Sequence, residues 1–344
     1  MARADLLKKL LKSHQKHDDW AFREAAEEII AEERKKHHII LANELERILK
    51  NGNGHLNYGQ IQSLTQLDSV PKDIEKGVAL LETKWTNRFL EDLILSQEIR
   101  NALERMMREF REWEVLEANG LLPTRRVLFC GPSGCGKTAA AEAIAAELGL
   151  PLLYVRFDAV VSSLLGETAA NLRRVFDYAQ RGQWVMFFDE FDAIGRSRDD
   201  PTEHSEIKRV VNSYLQIVDN FSGRSLIIAA TNFEQALDPA AWRRFDDVIR
   251  FEKPTNEQIR RLVGKRLVPL RFNNTQVAEI VKKLSESTYA DAERVCLDIR
   301  KSCAIQGTRQ VKKEDVEEAL SRHAYRQAIL ERACGNPMPK IDQD

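Results

Sequence analysis

The sequence predicts an α/β fold, in which helices flank a parallel sheet and a purely helical region follows it in the chain. Compact apolar segments at residues 152–157, 184–188 and 225–230 alternate with helical patterns. Continuous apolar strands that alternate with helices are typical of a parallel sheet covered on both faces. From Thr255 to about residue 330 the pattern is helical throughout. We therefore expect an α/β core and a C-terminal helical region.

The N-terminal region predicts a small helical domain. The segment AFREAAEEIIAEERKK places apolar residues at helical spacing, and Asn51-Gly52 is a suitable helix C-cap. Residues 61–89, which include Pro71, look like a linker with little core of its own. The predicted divisions are a helical domain at 1–60, a linker at 61–89, an α/β core at 90–254, a helical region at 255–330 and a tail at 331–344.

The composition excludes several classes of protein. The 344 residues carry 52 Lys and Arg against 53 Asp and Glu, for a formal net charge of −1. This balance argues against a protein that binds nucleic acid over its whole surface, although a local basic patch is still compatible with it. The five Cys form no CxxC pair, which indicates a reducing compartment. No apolar run approaches about 18 residues, so we expect a cytoplasmic protein without a membrane span.

The segment GPSGCGKT fits the pattern G-x-x-x-x-G-K-[ST] at every position. Glycines at this spacing let backbone N–H groups point inward as an anion nest at a helix N-terminus. Lys137 can reach the β- and γ-phosphates of ATP, and the Thr138 hydroxyl can bind Mg²⁺. A strand (VLFC) precedes the loop and an Ala-rich helix (137–148) follows it, as this function requires. The predicted nucleotide-binding residues are Gly131, Pro132, Ser133, Gly134, Cys135, Gly136, Lys137 and Thr138.

Cys135, inside this loop, has two interpretations. A helix N-terminus can lower the pKa of a thiol, which would make Cys135 reactive. The interpretation we favour is a small residue that fits the loop. A thiol reagent that leaves hydrolysis untouched would exclude the first.

Two further segments supply polar residues at strand ends. WVMFFDEFD places Asp189 and Glu190 at the end of an apolar strand. Asp189 can bind Mg²⁺ together with Thr138, and Glu190 can orient and deprotonate the water that attacks the γ-phosphate. SLIIAATN ends in Asn232, which can hydrogen-bond that water or the γ-phosphate. The sequence thus predicts an ATP site that uses Mg²⁺, with Glu190 and Asn232 as catalytic residues.

The motif series resembles that of the AAA family of ATPases, within the AAA+ superfamily, over roughly residues 90–330. The resemblance rests on GPSGCGKT, MFFDEFDAIGRSR, AATN and LDPAAWRRFD in this order, and on STYADAERVCLDIRKSCAI as the lid helix of the second sensor region. It implies an α/β nucleotide domain, a helical lid at 255–330, and a ring, usually a hexamer, with ATP at the subunit interfaces. Arg243 and Arg244 would then be catalytic residues that act in trans on a neighbour's γ-phosphate; surface ion pairs are the alternative.

One motif departs from the family. SSLLGETAANLRRVF resembles the central-pore loop, but Leu164 stands where an aromatic residue is usual. An apolar side chain grips a polypeptide more weakly per contact than a large aromatic does, so threading of a substrate is left open. The chain has no HExxH motif, which excludes the membrane-anchored protease type of this family.

We expect an ATP-hydrolysing, oligomeric motor that remodels or unfolds a protein substrate or partner. The N-terminal helices look similar to those of bacterial AAA ATPases encoded beside subtilisin-like serine proteases, in two-gene modules linked to phage defence and plasmid maintenance. That resemblance implies a serine protease as partner. The alternatives are a nucleic-acid-acting AAA+ ATPase, which the neutral charge disfavours, and a nucleotide-gated switch or scaffold for a partner effector.

Overall fold

The chain divides into two compact units, residues 1–69 and 70–344. The computed structural model of the protein describes residues 24–28, 70–73, 77–160, 165–191, 214–233 and 242–333. In the first unit the described residues, 24–28, are helical. The rest of the predicted N-terminal domain lies outside the described residues, as do Leu164 and the tail beyond Ala333.

In the second unit, the described strands form one six-stranded sheet in the order β1-β3-β4-β5-β2-β6. Strands β2 to β6 run parallel to one another, whereas β1 pairs antiparallel with β3 at one side of the sheet. The strands are β1 (Leu81–Lys84), β2 (Arg126–Cys130), β3 (Leu152–Val155), β4 (Val185–Phe188), β5 (Leu226–Thr231) and β6 (Asp247–Arg250). The predicted α/β fold is confirmed.

Helices flank this sheet and form the C-terminal lid. Those of the core are α1 (Gln97–Arg111), α2 (Trp113–Ala118), α3 (Lys137–Leu148), α4 (Phe157–Val160) and α5 (Leu165–Ala179). Those of the lid are α6 (Asn256–Leu267), α7 (Asn274–Lys283), α8 (Tyr289–Ile305) and α9 (Lys313–Ala333). A short 3₁₀ helix spans Leu90–Asp92, and residues 214–220 are helical. None of the described helices is long and apolar enough to cross a membrane.

The central strands are buried along their whole length. Every residue of β4 and β5 is buried, which explains why their sequences are apolar without alternation. An aromatic cluster packs against this part of the sheet: the Phe176 ring of α5 stacks on Phe188 at 5.7 Å between centroids, and Tyr214 meets Phe188 edge-on at 5.3 Å. This core holds the carboxyl end of β4, and with it Asp189, in place.

Two strands were not predicted, because neither carries a continuous apolar segment. The predicted linker at 61–89 contributes β1, and its Leu80 and Leu81 are fully buried. Strand β6 has only Ile249 buried. The sequence also predicts one helix from residue 97 to 118, whereas the structure interrupts it at Glu112, between α1 and α2.

The lid begins three of its helices with reciprocal caps. At the start of α6, α7 and α8 the side chain of the N-cap residue accepts a hydrogen bond from the backbone N–H three positions later. The side chain at that later position accepts a hydrogen bond from the backbone N–H of the N-cap residue. These pairs are Thr255 with Gln258, Asn273 with Gln276 and Thr288 with Asp291. The lid has its own apolar core, which includes Leu262, Ile280 and Ile299. The last of the three caps places Tyr289 and Ala290 beside the phosphate loop.

Candidate functional site

The loop between β2 and α3 has a conformation that requires glycine. Gly131, Gly134 and Gly136 have φ values of 129°, 75° and 99°, in the left-handed range that other residues avoid. At Gly131 a Cβ would lie 1.9 Å from the carbonyl oxygen of Phe251. The loop therefore curls closely against the segment after β6, with α3 starting directly behind it. A loop of this shape at a helix N-terminus fits the anion cradle that the sequence predicts.

Lys137 is the first residue of α3, and its side chain turns back into the loop. It is only 6% exposed, and its Nζ donates to the carbonyl oxygens of Gly131 at 2.6 Å and Pro132 at 2.9 Å. Nζ also donates to Oδ1 of Asn232 at 2.8 Å. The structure thus joins the loop and the polar residue after β5, which are 95 positions apart in the sequence.

Asp189 follows β4 and faces the start of α3. The Thr138 hydroxyl donates to its Oδ2 at 3.1 Å, and the Tyr154 hydroxyl donates to the same oxygen at 3.4 Å. Hydroxyl and carboxylate oxygens are the ligands that Mg²⁺ prefers, so Thr138 and Asp189 fit the predicted metal site. Burial, and then the Asp189 carboxylate, raise the pKa of Tyr154 to about 12, so this phenol keeps its proton. The sequence did not predict a role for Tyr154. The one feature that could have indicated it is a hydroxyl group in the otherwise apolar strand LLYV.

Glu190 adopts a backbone conformation that is unusual for its residue type. Its φ is 51°, and its backbone N–H donates to Oδ1 of Asp189 at 3.0 Å. Left-handed conformations of residues other than glycine cost of order 1–3 kcal/mol and cluster at functional sites. The Glu190 side chain is exposed and lines the cleft next to the loop. A carboxylate in this position can reach a water in front of the phosphates.

The cleft has a volume of about 340 Å³ and lies between the core and the lid. The loop forms one wall, and residues of the segment before α1 and of the lid, including Ile94, Leu262 and Tyr289, form others. The backbone N–H of Ala290 donates to the carbonyl oxygen of Gly134 at 3.1 Å, so the lid contacts the phosphate loop directly. The sequence predicted the loop and missed these apolar walls, because they come from three separate segments.

The structure removes the basis for a reactive Cys135. The residue is 2% exposed, and burial raises its pKa, an effect larger than the opposing charge of Lys137. A raised pKa lowers the thiolate fraction, and the thiolate is the nucleophile. Cys135 therefore packs in the loop as a small residue, the interpretation that we favoured.

Arg243 and Arg244 lie at the other edge of the sheet. They directly precede β6, which runs parallel to β2, whereas the phosphate loop follows β2. A strand of four residues separates the two edges by about 13 Å. Arg243 is exposed, and Arg244, with 48% of its side chain exposed, forms an ion pair with Asp219. Neither arginine is among the described residues that line the cleft of its own chain.

Comparisons with known proteins place this architecture in a family. The family model for the "ATPase family associated with various cellular activities (AAA)" matches residues 127–253. An uncharacterized AAA family ATPase, y4kL of Sinorhizobium fredii, is 40% identical over 332 residues, which are 95% of this chain and 97% of that protein. The chain belongs to the AAA family of ATPases.

Two further comparisons set this AAA ATPase among more distant proteins. A proteasome-activating nucleotidase of Methanococcus maripaludis is 28% identical over 81% of the chain and 70% of its own length. The crystal structure of the FIGL-1 AAA domain superposes with a TM-score of 0.56, at 19% identity, over 84% of this chain and 99% of that one. The similarity to the FIGL-1 AAA domain concerns the fold alone.

Proposed function

We propose that this AAA ATPase hydrolyses ATP in a ring of identical subunits, a hexamer, and uses the hydrolysis to remodel or unfold a protein. The observation that carries the proposal is the position of the two arginines. The cleft lies at the carboxyl edge of the sheet, while Arg243 and Arg244 lie at the amino edge. An arginine at the amino edge of one subunit can reach ATP only in the cleft of another subunit.

Within the cleft, each predicted residue has a role that its surroundings support. The backbone of the loop from Gly131 to Gly136 and the Lys137 amine would bind the phosphates. Thr138 and Asp189 would hold Mg²⁺, which when bound neutralises charge on the β- and γ-phosphates. The hydrogen bond from Tyr154 would keep the Asp189 carboxylate in its orientation.

The hydrolytic step would fall to Glu190 and Asn232. Glu190 would take a proton from the attacking water, and its exposed carboxylate at the cleft supports this role. Asn232 now accepts a hydrogen bond from Lys137. With ATP bound, the Asn232 amide would donate to a γ-phosphate oxygen or to the attacking water. Arg243 and Arg244 of a neighbour would balance the negative charge that spreads over the transferred phosphoryl group.

A protein substrate is supported by the family relationships and by the composition. A relative over four-fifths of the chain is named a proteasome-activating nucleotidase, and the neutral net charge disfavours nucleic acid. We infer that the helical domain at 1–60 recognises the substrate or partner. We also infer that 90–254, 255–330 and 331–344 are core, lid and tail, and that 61–89 is a linker except for β1, which belongs to the sheet of the core. A subtilisin-like serine protease partner, a role in phage defence, a cytoplasmic location and threading past Leu164 stay predictions from the sequence.

Two inactive variants test the composite site. The Lys137→Ala chain should lose ATP binding but keep its arginines, whereas the Arg244→Ala chain should bind ATP but lack an arginine for its neighbour. Each alone should hydrolyse ATP at least about 10³-fold more slowly than the wild type, as is typical when an arginine finger is lost.

Mixing the two chains should restore measurable hydrolysis, because some interfaces then pair an intact cleft with an intact arginine. Phosphate release is the measurement, and each variant mixed with itself is the control. A mixture no more active than its components would contradict the arrangement in trans. An Arg244→Ala chain that alone keeps wild-type turnover would contradict the role of this arginine.

A further inference from the structure

A second cavity, of about 820 Å³, lies on the lid, where residues of α8 and α9 form most of its lining. We call it the lid groove. It borders the nucleotide cleft, because Arg88, Arg266, Ala290 and Glu293 line both. None of the residues predicted for the ATP site lines it, so the proposed hydrolysis of ATP does not account for it.

The lid groove has a large excess of positive charge. Seven Arg or Lys side chains line it against two carboxylates, Glu293 and Asp298. Within the described part of the chain, Arg294, Arg300 and Arg326 are exposed and form no ion pair. The other four cations are paired: Arg88 with Glu142, Arg266 with Glu293, Lys301 with Asp298 and Arg322 with Glu318. Both carboxylates of the lining are thus in use, and three guanidinium groups remain for a ligand.

The three free arginines are spread along the groove. Gln327 of α9 donates to Oδ1 of Asp291, near the start of α8, at 3.3 Å. Arg326 is the neighbour of Gln327 in the chain, and Arg294 lies about one helical turn after Asp291, so these two arginines lie at the same end. Arg300 lies further along α8 by about 9 Å, at 1.5 Å per residue. This spread fits a linear anion better than a single compact one.

The rest of the lining offers little to an aromatic or apolar partner. Among the described residues that line the groove there is no Phe, Tyr or Trp on which a nucleobase could stack. Leu297, 47% exposed, is the one large apolar side chain that these residues present to a ligand. Peptide interfaces are usually centred on several buried aromatic or apolar anchors. The groove can therefore bind charge, with little to hold a base or a peptide side chain.

Arginine is well suited to bind phosphate. Its guanidinium group is a planar fork of donors that can bind two oxygens of one phosphate group. Consecutive phosphates carry negative charge along the whole length of a ligand, as the spread of the arginines requires. We propose that the lid groove binds a linear polyphosphate without nucleobases, with Arg294 and Arg326 at one end and Arg300 further along. This site is additional to the ATP site and does not depend on the proposed ring.

Calorimetric titration of the full-length chain with inorganic polyphosphate tests the site. Free Mg²⁺ is held constant, and a non-hydrolysable ATP analogue is kept at saturation so that it occupies the phosphate loop. The variant Arg294→Gln/Arg326→Gln removes two charges from the groove. The matched control, Lys282→Gln/Lys283→Gln, removes two charges from exposed positions of α7 outside the groove. Circular dichroism and the affinity for the ATP analogue show that each variant is folded.

The wild-type chain should bind polyphosphate, and Arg294→Gln/Arg326→Gln should weaken this binding by about tenfold or more, because charge-assisted hydrogen bonds are lost. The α7 control should stay within about twofold of the wild type, since solvent and salt screen distant surface charges. A wild-type chain that does not bind polyphosphate would overturn the proposal. An equal loss in the two variants would overturn it as well, because binding would then follow the net charge and not the groove.

Two other polyanions compete with this assignment, and both are titrated in the same way. A single-stranded oligonucleotide and poly-glutamate of matched total charge should bind the wild-type chain more weakly than polyphosphate does. An oligonucleotide that binds as tightly, and that Arg294→Gln/Arg326→Gln releases, would assign the groove to nucleic acid instead. The same result with poly-glutamate would assign it to an acidic peptide. None of these outcomes bears on catalysis in trans, which the mixture of Lys137→Ala and Arg244→Ala tests separately.

Discussion

The two edges of the sheet use charged side chains in different ways. At the carboxyl edge, the Lys137 amine donates to three uncharged oxygens, and Asp189 accepts from two hydroxyls and a backbone N–H. At the amino edge, charges are paired within the chain: Arg126 contacts Asp219 and Asp246, and Arg244 pairs with Asp219.

The two edges therefore differ in what their charged side chains can do: one is suited to binding a ligand and the other to stabilising the fold. Groups that hydrogen-bond to uncharged oxygens can exchange these contacts for a charged ligand, whereas an ion-paired arginine must first leave an opposite charge. The carboxyl edge therefore fits the proposed binding of phosphate and metal. The amino edge holds the sheet together and presents arginine outward. Three variants and one labelling experiment test this contrast.

The largest effect is expected at the carboxyl edge, from Glu190→Gln. Removal of a general base should slow ATP hydrolysis by roughly 10²–10⁴-fold, because this is the usual contribution of general acid–base catalysis. Nucleotide affinity should be retained, since the phosphates are bound by other groups. Phosphate release and binding of a fluorescent ATP analogue measure the two quantities. Asp177→Asn, an exposed change on α5 outside the cleft, is the control, and turnover near the wild-type rate in Glu190→Gln would refute the role.

At the amino edge, Asp246→Ala should reduce stability and not nucleotide binding. The Asp246 carboxylate accepts from the backbone N–H of Arg125 at 3.1 Å and of Arg126 at 2.9 Å, and from the Arg126 guanidinium at 2.7 Å. Loss of this contact should lower the free energy of unfolding by about 2 kcal/mol, the scale for hydrogen bonds to charged groups. Urea titration measures it, with Asp177→Ala as the control. A large change in ATP affinity would mean that the two edges are coupled.

A smaller effect is expected where the carboxyl edge meets the lid, at Gly134→Ala. Its new Cβ would lie 2.8 Å from Oγ1 of Thr288, in addition to the strain of a φ of 75°. We expect roughly tenfold weaker ATP binding, equivalent to about 1.4 kcal/mol, because the lid must shift. Gly120→Ala is the matched control, since Gly120 has a φ of 73° with nothing within 4 Å of the Cβ. Equal ATP affinities in the two variants would exclude a role for the lid contact.

The smallest effect concerns the chemistry of Cys135. Because burial raises its pKa, its thiolate fraction at any pH below that value is smaller than in the unfolded chain. Alkylation should therefore be slower in the native protein than in denaturant, and it should accelerate about tenfold for each pH unit while the thiol stays mostly protonated. Mass spectrometry of the Cys135 peptide gives the rate. Native labelling as fast as denatured labelling would show an activated thiol instead.

The sequence alone predicted the α/β fold, the central strands and the chemistry of the loop. These features are local: GPSGCGKT brings together the glycines, the lysine and the hydroxyl in eight consecutive residues, and β4 and β5 are apolar because both faces are covered. The family resemblance then supplied the roles of the separate motifs, and membership of the AAA family is confirmed.

What the sequence missed depends on contacts between distant residues. Strands β1 and β6 lie at the sides of the sheet and lack the apolar pattern of a doubly covered strand. The hydrogen bond from Tyr154 to Asp189 and the pairing of Arg244 with Asp219 join residues that share no motif. The cavity of about 820 Å³ on the lid is lined by α8, α9, Arg88 and Arg266, which only the fold brings together. Residue order therefore determined which chemistry the chain carries. Only the tertiary structure decided which edge each charge occupies, because strand direction and packing are long-range properties.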